Sequence, residues 1–185
     1  ERKEEYRRPP VAMGIVLDRS GSMSAPVDSG MQKMDLANRA AAEAVNLLAP
    51  QDEVAAFAVH SEAHEVIGLT GIEGNRGEVE SRILSVESRG GGIYVHNGLK
   101  AAMGGLMDSE ANTRHIVLFA DAADSEQKRG VRKMVGQWRK AGGTISVIGL
   151  GTAKDKDATF LKKVARKGGG KVFLTNDARA LPRIF

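Results

Sequence analysis

Asp18, Ser20 and Ser22 stand at alternate positions where an apolar run (residues 11–17) gives way to a loop, and Asp121 ends a second such run far along the chain. A carboxylate and two hydroxyls spaced this way, with Gly21 permitting a tight turn, can converge their oxygens on one point. Oxygen-only ligation suits a hard cation such as magnesium, which favours near-octahedral geometry and retains several waters. Asp121 joins the group if the two runs are neighbouring strands, and four oxygen-bearing side chains then face one crevice. Two carboxylates about 6 Å apart repel by roughly 3 kcal/mol at an effective dielectric near 20, so Asp18 and Asp121 require a cation, a proton or hydrogen-bond donors between them. The amides and hydroxyls of the Ser20–Ser22 turn are candidate donors in the absence of metal.

The elements that must position these residues are legible as apolar patterns. Near-continuous apolar runs at 11–18, 53–60, 113–121, 144–151 and 171–175 predict strands covered on both faces. Helical periodicity predicts helices over 33–48, 76–86, 97–107, 126–141 and 155–167. A further strand over 63–70 follows its predecessor after only Ser61 and Glu62, too short for a crossover, so it pairs antiparallel at a sheet edge. Strands alternating with helices predict an α/β fold: a doubly wound, mostly parallel Rossmann-like sheet with one antiparallel edge strand and helices on both faces. Ligands of such sheets sit beyond the carboxyl ends of the strands where strand order reverses, which is where Asp18 and Asp121 fall. The Gly168–Gly170 run reads as a helix stop, Trp138 as core, and His60, His64 and His115 as structural; His96 lies in a glycine-rich loop near the crevice.

Composition bounds the rest. A chain of 185 residues fits one domain, and the absence of cysteine excludes disulfides, thiolate zinc sites and cysteine nucleophiles. No apolar stretch approaches the roughly 20 residues that cross a bilayer. Residues 1–10 read as a charged linker and 11–185 as the domain, a fragment of a longer protein. Formal net charge is +4, but residues 126–171 hold 13 basic and 3 acidic side chains against 14 and 20 elsewhere. Lysines interleaved with core positions at helical spacing read first as a solvated helix face, so no nucleic acid is expected.

The Asp18-x-Ser20-x-Ser22 run ending the first strand, Asp121 ending a later one, and the strand–helix order together resemble the von Willebrand factor type A domain over nearly all of residues 11–185. The resemblance implies a metal-ion-dependent adhesion site in which Ser20 and Ser22 bind magnesium directly and Asp18 and Asp121 act largely through water. It also implies a protein partner whose acidic side chain fills the open position. In the family, a threonine from a Gly-Gly-Thr-Asp loop completes the set. This chain reads Gly91-Gly92-Ile93-Tyr94 there, so Ile93 replaces the oxygen ligand with a hydrocarbon. The expected site, Asp18, Ser20, Ser22 and Asp121, is therefore degenerate, binding magnesium weakly or not at all. The glycine-rich loop and the Leu181–Phe185 ending are similar to type A domains of large bacterial membrane-associated proteins, which implies a membrane-associated parent.

Enzyme readings lack their motifs. There is no GxxxxGK followed by Ser or Thr, no GxGxxG opening the first helix, and no GxSxG around Ser20. The favoured expectation is a protein-interaction module, not an enzyme, using the rim loops 19–28, 90–96 and 121–125. The alternatives are hydrolase-like activity in the same crevice, or binding of nucleic acid or anionic lipid by the basic region.

Overall fold

The computed structural model describes residues 8–27, 29–92, 94–122 and 128–177. Its strands are β1 (Val11–Asp18), β2 (Glu53–Val59), β3 (Ala63–Gly71), β4 (Thr113–Asp121), β5 (Thr144–Leu150) and β6 (Gly169–Thr175). They form one six-stranded sheet in the order β3-β2-β1-β4-β5-β6, parallel except for β3, which pairs antiparallel with β2 at the edge. The helices are α1 (Lys33–Asn46), α2 (Arg76–Leu84), α3 (Val95–Gly105), α4 (Val131–Lys140) and α5 (Ala158–Lys167). This is the doubly wound arrangement expected from the alternation of periods, and the order reverses between β1 and β4.

Period-two alternation sorts the sheet into two cores. Ala12 and Val16 of β1 with Ile116, Leu118 and Ala120 of β4 face α3, α4 and α5. Ile15 and Leu17 of β1 with Val117 and Phe119 of β4 face α1 and α2. Asp121 continues the Val117–Phe119 row and so emerges on the side that α1 covers. The close approach of α3 to the sheet needs Gly98: a Cβ there would lie 2.8 Å from Val16 Cγ1 and 3.0 Å from Val59 Cγ1.

Several boundaries differ from the sequence reading. The helix expected from residue 155 starts at Ala158, because Asp155 closes a turn on Thr152, accepting its N–H at 2.6 Å, and Asp157 donates its N–H to Ala122 O. The helix expected from 126 is described only from Val131, after the left-handed Gly130 (φ 80°). The strand expected from Lys171 begins at Gly169, so the glycine run does more than stop α5. A Cβ on Gly170 would stand 2.1 Å from Ile145 O; only glycine lets β6 join β5 at this point. The segment expected to be plain loop after Asp18 contains a 3-10 turn over Gly21–Ser24 and a bridge between Pro26 and Gln32.

At the opposite end of the sheet, Asp52 ties Arg8 to the start of β1. Its buried carboxylate accepts Arg8 Nη1 at 2.8 Å, Val11 N–H at 2.9 Å and Ala49 N–H at 2.7 Å, and forms an ion pair with Arg8. Trp138 is core, with Nε1 donating to Thr144 O at 3.1 Å. His115 is a structural group, its Nδ1 2.5 Å from Thr144 Oγ1.

Candidate functional site at the sheet rim

β1 and β4 run in register side by side, Leu17 opposite Phe119, so their tips deliver Asp18 and Asp121 to the same place. Both carboxylates and Ser20 are buried. Asp18 Oδ1 accepts the Ser20 N–H at 2.8 Å and Oδ2 accepts the Asp121 N–H at 3.0 Å, bridging residues 103 positions apart. Ser20 Oγ lies 3.0 Å from Ser22 Oγ. The short 3-10 turn brings the hydroxyls together: Met23 N–H donates to Ser20 O, and the fully buried Met23 side chain pins the turn into the core beneath α1.

Buried charge at this point is opposed by hydrogen bonds and by one cation from α1. Burial pushes the Asp18 carboxyl up to about 7, the negative charge of Asp121 adds to that rise, and hydrogen bonds from the Ser20 hydroxyl, the Ser20 amide and the Asp121 amide oppose it. Lys33, in the first turn of α1, places Nζ 3.1 Å from Asp121 Oδ1 with its side chain only 15 % exposed. Sequence reading missed Lys33, because it looks like an ordinary solvated lysine opening a helix. The available signal was the face: Asp121 emerges toward α1, and Lys33 is the residue with which α1 begins.

Neighbouring loops are knitted around this centre. Arg19 N–H donates to Val59 O, Gly21 N–H to Gly91 O, Arg89 N–H to Arg19 O and Tyr94 N–H to His60 O. Arg19 is held below the usual guanidinium range by burial and by the nearby Arg89. The rim therefore carries Lys33 on Asp121, with Arg19, its Nε donating to Glu87 O at 3.1 Å, and Arg89 on the adjoining loops. His60 and His64 pair with each other, Nε2 to Nε2 at 3.1 Å, and the His96 ring packs against Gly130. Ser20 Oγ meets Ser22 Oγ and the Asp18 carboxylate, not an imidazole, among the described residues. Ile93, Asp124, Asp28 and the 123–125 part of the rim lie outside the described residues, as does the 181–185 ending.

The donor set is testable for a cation by its spacing. Neighbouring ligands of an octahedral magnesium, with bonds of about 2.0–2.1 Å, stand about 2.9 Å apart, close to the 3.0 Å between the two hydroxyl oxygens. Asp18, Ser20, Ser22 and Asp121 thus fit a hard cation in donor type, and the two serine hydroxyls fit it in spacing. Among the described residues, however, no cluster of three or more His, Asp or Glu side chains has the arrangement of a metal site, and Lys33 already neutralises one carboxylate.

A doubly wound sheet with order reversal at β1 and β4 and an Asp-x-Ser-x-Ser turn at its rim defines the architecture of an adhesion-type α/β domain. The sequence profile of the von Willebrand factor type A domain matches residues 13–185, and the chain belongs to this family. Type A domains are in general interaction and adhesion modules rather than enzymes. A search of curated proteins finds no match. Solved structures share the fold at low identity. BatB from Bacteroides thetaiotaomicron superposes with a TM-score of 0.78 at 19% identity, covering 94% of this chain and 95% of its own. An aerotolerance-related membrane protein from Bacteroides fragilis, bearing multiple mutations to serines, gives 0.77 at 18%, with coverage of 94% and 96%. Proximal thread matrix protein 1 from the mussel byssus, with a zinc-occupied metal-ion-dependent adhesion site, gives 0.78 at 18%, covering 95% of this chain and 44% of that one.

Proposed function

We propose that the chain is a protein-interaction module whose rim receives an acidic side chain of a partner, with a weak divalent-cation site formed by Asp18, Ser20, Ser22 and Asp121. Magnesium is the cation favoured by oxygen-only donors, and when bound it would present an open coordination position to the partner's carboxylate. The observation that carries this reading is the Lys33 ammonium on Asp121. It is a tethered monocation that offsets the carboxylate charge and competes with a divalent ion for the same oxygen. Arg19 and Arg89 on the rim favour an acidic partner whether or not the ion is present. Ile93, in place of the family's threonine, further weakens the ion's hold.

The proposal also places the domain in a membrane-associated parent, in keeping with the Bacteroides fragilis neighbour; no described helix is long and apolar enough to cross a membrane. Calorimetric titration with magnesium and manganese tests the site. The expected result is an affinity no tighter than millimolar. Micromolar binding abolished by Ser20→Ala would refute the weak-site reading.

A further inference from the structure

We propose that the outer face of α4 and α5 docks on an anionic phospholipid surface. Both helices turn an apolar stripe inward: Val131, Val135 and Trp138 from α4, and Leu161, Val164 and Ala165 from α5. Every charged residue on the two helices is basic. Arg132, Lys133, Arg139 and Lys140 of α4 and Lys162, Lys163, Arg166 and Lys167 of α5 are all exposed, and neither helix contains Asp or Glu. The whole chain has a net charge of +4, so these twenty residues contribute +8 and everything else sums to −4.

A solvated helix face does not account for this pattern. Helices ordinarily intersperse opposite charges four apart, as α2 does with Arg82 donating to Glu78 at 2.7 Å. In α5, Lys162 faces Arg166 and Lys163 faces Lys167 at that same spacing, and like pairs there cost helix stability. The helix dipole rewards the cations of the last turns, Arg139, Lys140, Arg166 and Lys167. It does not reward Arg132 and Lys133, which stand in the first turn of α4. Among the described residues, none of the eight takes part in an ion pair. Between the helices lies an open groove of about 590 Å³ lined by Arg132, Lys133, Gln137, Lys140 and Lys167, wide enough to seat a phosphate headgroup.

The form of the face favours lipid over nucleic acid. Single-stranded nucleic acid is held by stacking on aromatic side chains, yet Trp138 is buried and Phe160 is half-buried beneath the Lys128 ammonium. A duplex groove admits one projecting helix, whereas α5 lies on β5 and β6 with α4 beside it on β5. A membrane surface attracts such a broad array through its diffuse negative potential. Docking through this flank leaves the rim at the strand tips free, so the inference stands independently of the rim reading.

The test is cosedimentation of this chain with phosphatidylcholine vesicles, with and without phosphatidylglycerol, at low and high salt. Binding is expected only with phosphatidylglycerol and is expected to vanish at about 0.5 M salt, where the screening length falls to a few ångströms. Each charge at the surface is worth about fivefold. Lys133→Gln, Lys140→Gln, Lys163→Gln and Lys167→Gln combined should therefore lower binding by about two to three orders of magnitude. Arg39→Gln with Arg82→Gln, on the opposite face of the sheet, should leave it within about twofold, and circular dichroism establishes that both variants fold. No cosedimentation at low salt, equal binding by the fourfold variant, or displacement from the vesicles by an equimolar duplex oligonucleotide would overturn the proposal.

Discussion

Replacing Lys33 by methionine keeps the length of the side chain and removes its charge, which isolates the competition between ammonium and metal. At 3.1 Å from Asp121 Oδ1, the bare attraction is about 5 kcal/mol at an effective dielectric of 20. Desolvating the ammonium and ordering four methylenes offset much of that, leaving a net value of about 1–3 kcal/mol for a pair this buried. A divalent ion must displace the ammonium and forfeit that amount. At 1.4 kcal/mol per tenfold, Lys33→Met should tighten magnesium binding by about 5- to 140-fold in calorimetry. The variant should also be less stable in chelator by about 2–4 kcal/mol, because the buried Asp121 loses its ion pair with Lys33. For a domain of this size that is a fall in Tm of about 5–15 °C. Magnesium at about 100 times Kd returns roughly 2.7 kcal/mol and should recover most of the loss. If the magnesium affinity moves by less than about twofold, and added magnesium leaves the lowered Tm where it is, Lys33 is not a competitor for the site.

Two further outcomes follow from the scaffold. Burial alone would push the Asp52 carboxyl up, but the Arg8 side chain and the Ala49 and Val11 amides outweigh it and hold the group below the usual carboxylate range. Its stabilisation is complete above the unfolded value near 4 and disappears as pH falls through the folded one. Asp52→Asn should therefore cost about 2–4 kcal/mol at neutral pH and flatten the acid limb of stability measured by urea denaturation below about pH 4; an unchanged acid limb would show that Asp52 is not responsible. Gly98→Ala sets helix propensity against packing. Alanine gains about 1 kcal/mol in a helix interior, while a Cβ 2.8 Å from Val16 and 3.0 Å from Val59 meets β-branched side chains that cannot rotate away, costing about 1–3 kcal/mol. The urea midpoint should drop with an unchanged slope, and a stabilised variant would count against the close approach of α3.

The sheet was legible because burial on both faces writes itself as unbroken apolar runs, and β1 and β4 were bounded to the residue by the aspartates that end them. The antiparallel β3 was legible for a topological reason, since two residues cannot carry a chain back to the other end of a sheet. Helix ends were less so, because they are decided by contacts that no local pattern encodes. The turn that delays α5 depends on Asp155 reaching Thr152 and on the Asp157 amide meeting Ala122 at the tip of β4. The Gly168–Gly170 run had a second role hidden for the same reason: Ile145, whose backbone excludes any Cβ on Gly170, is more than twenty residues away in sequence.

The rim shows the same division and what it means for function. Asp18, Ser20 and Ser22 declare themselves because their spacing is local, and Asp121 because it ends a strand. Lys33 does not, since its significance arises only once strand parity turns Asp121 toward α1 and the helix begins there. A set of ligands read from motif alone counts oxygens and assigns a cation to balance them. The fold adds a positive charge from outside the motif, on Asp121, and amide donors on both Asp18 oxygens, while burial still pushes the Asp18 carboxyl up to about 7. On the proposed reading, a rim of this kind keeps the oxygens of Asp18, Ser20, Ser22 and Asp121 while a cation carried by the scaffold, Lys33, competes with the ion for one of them.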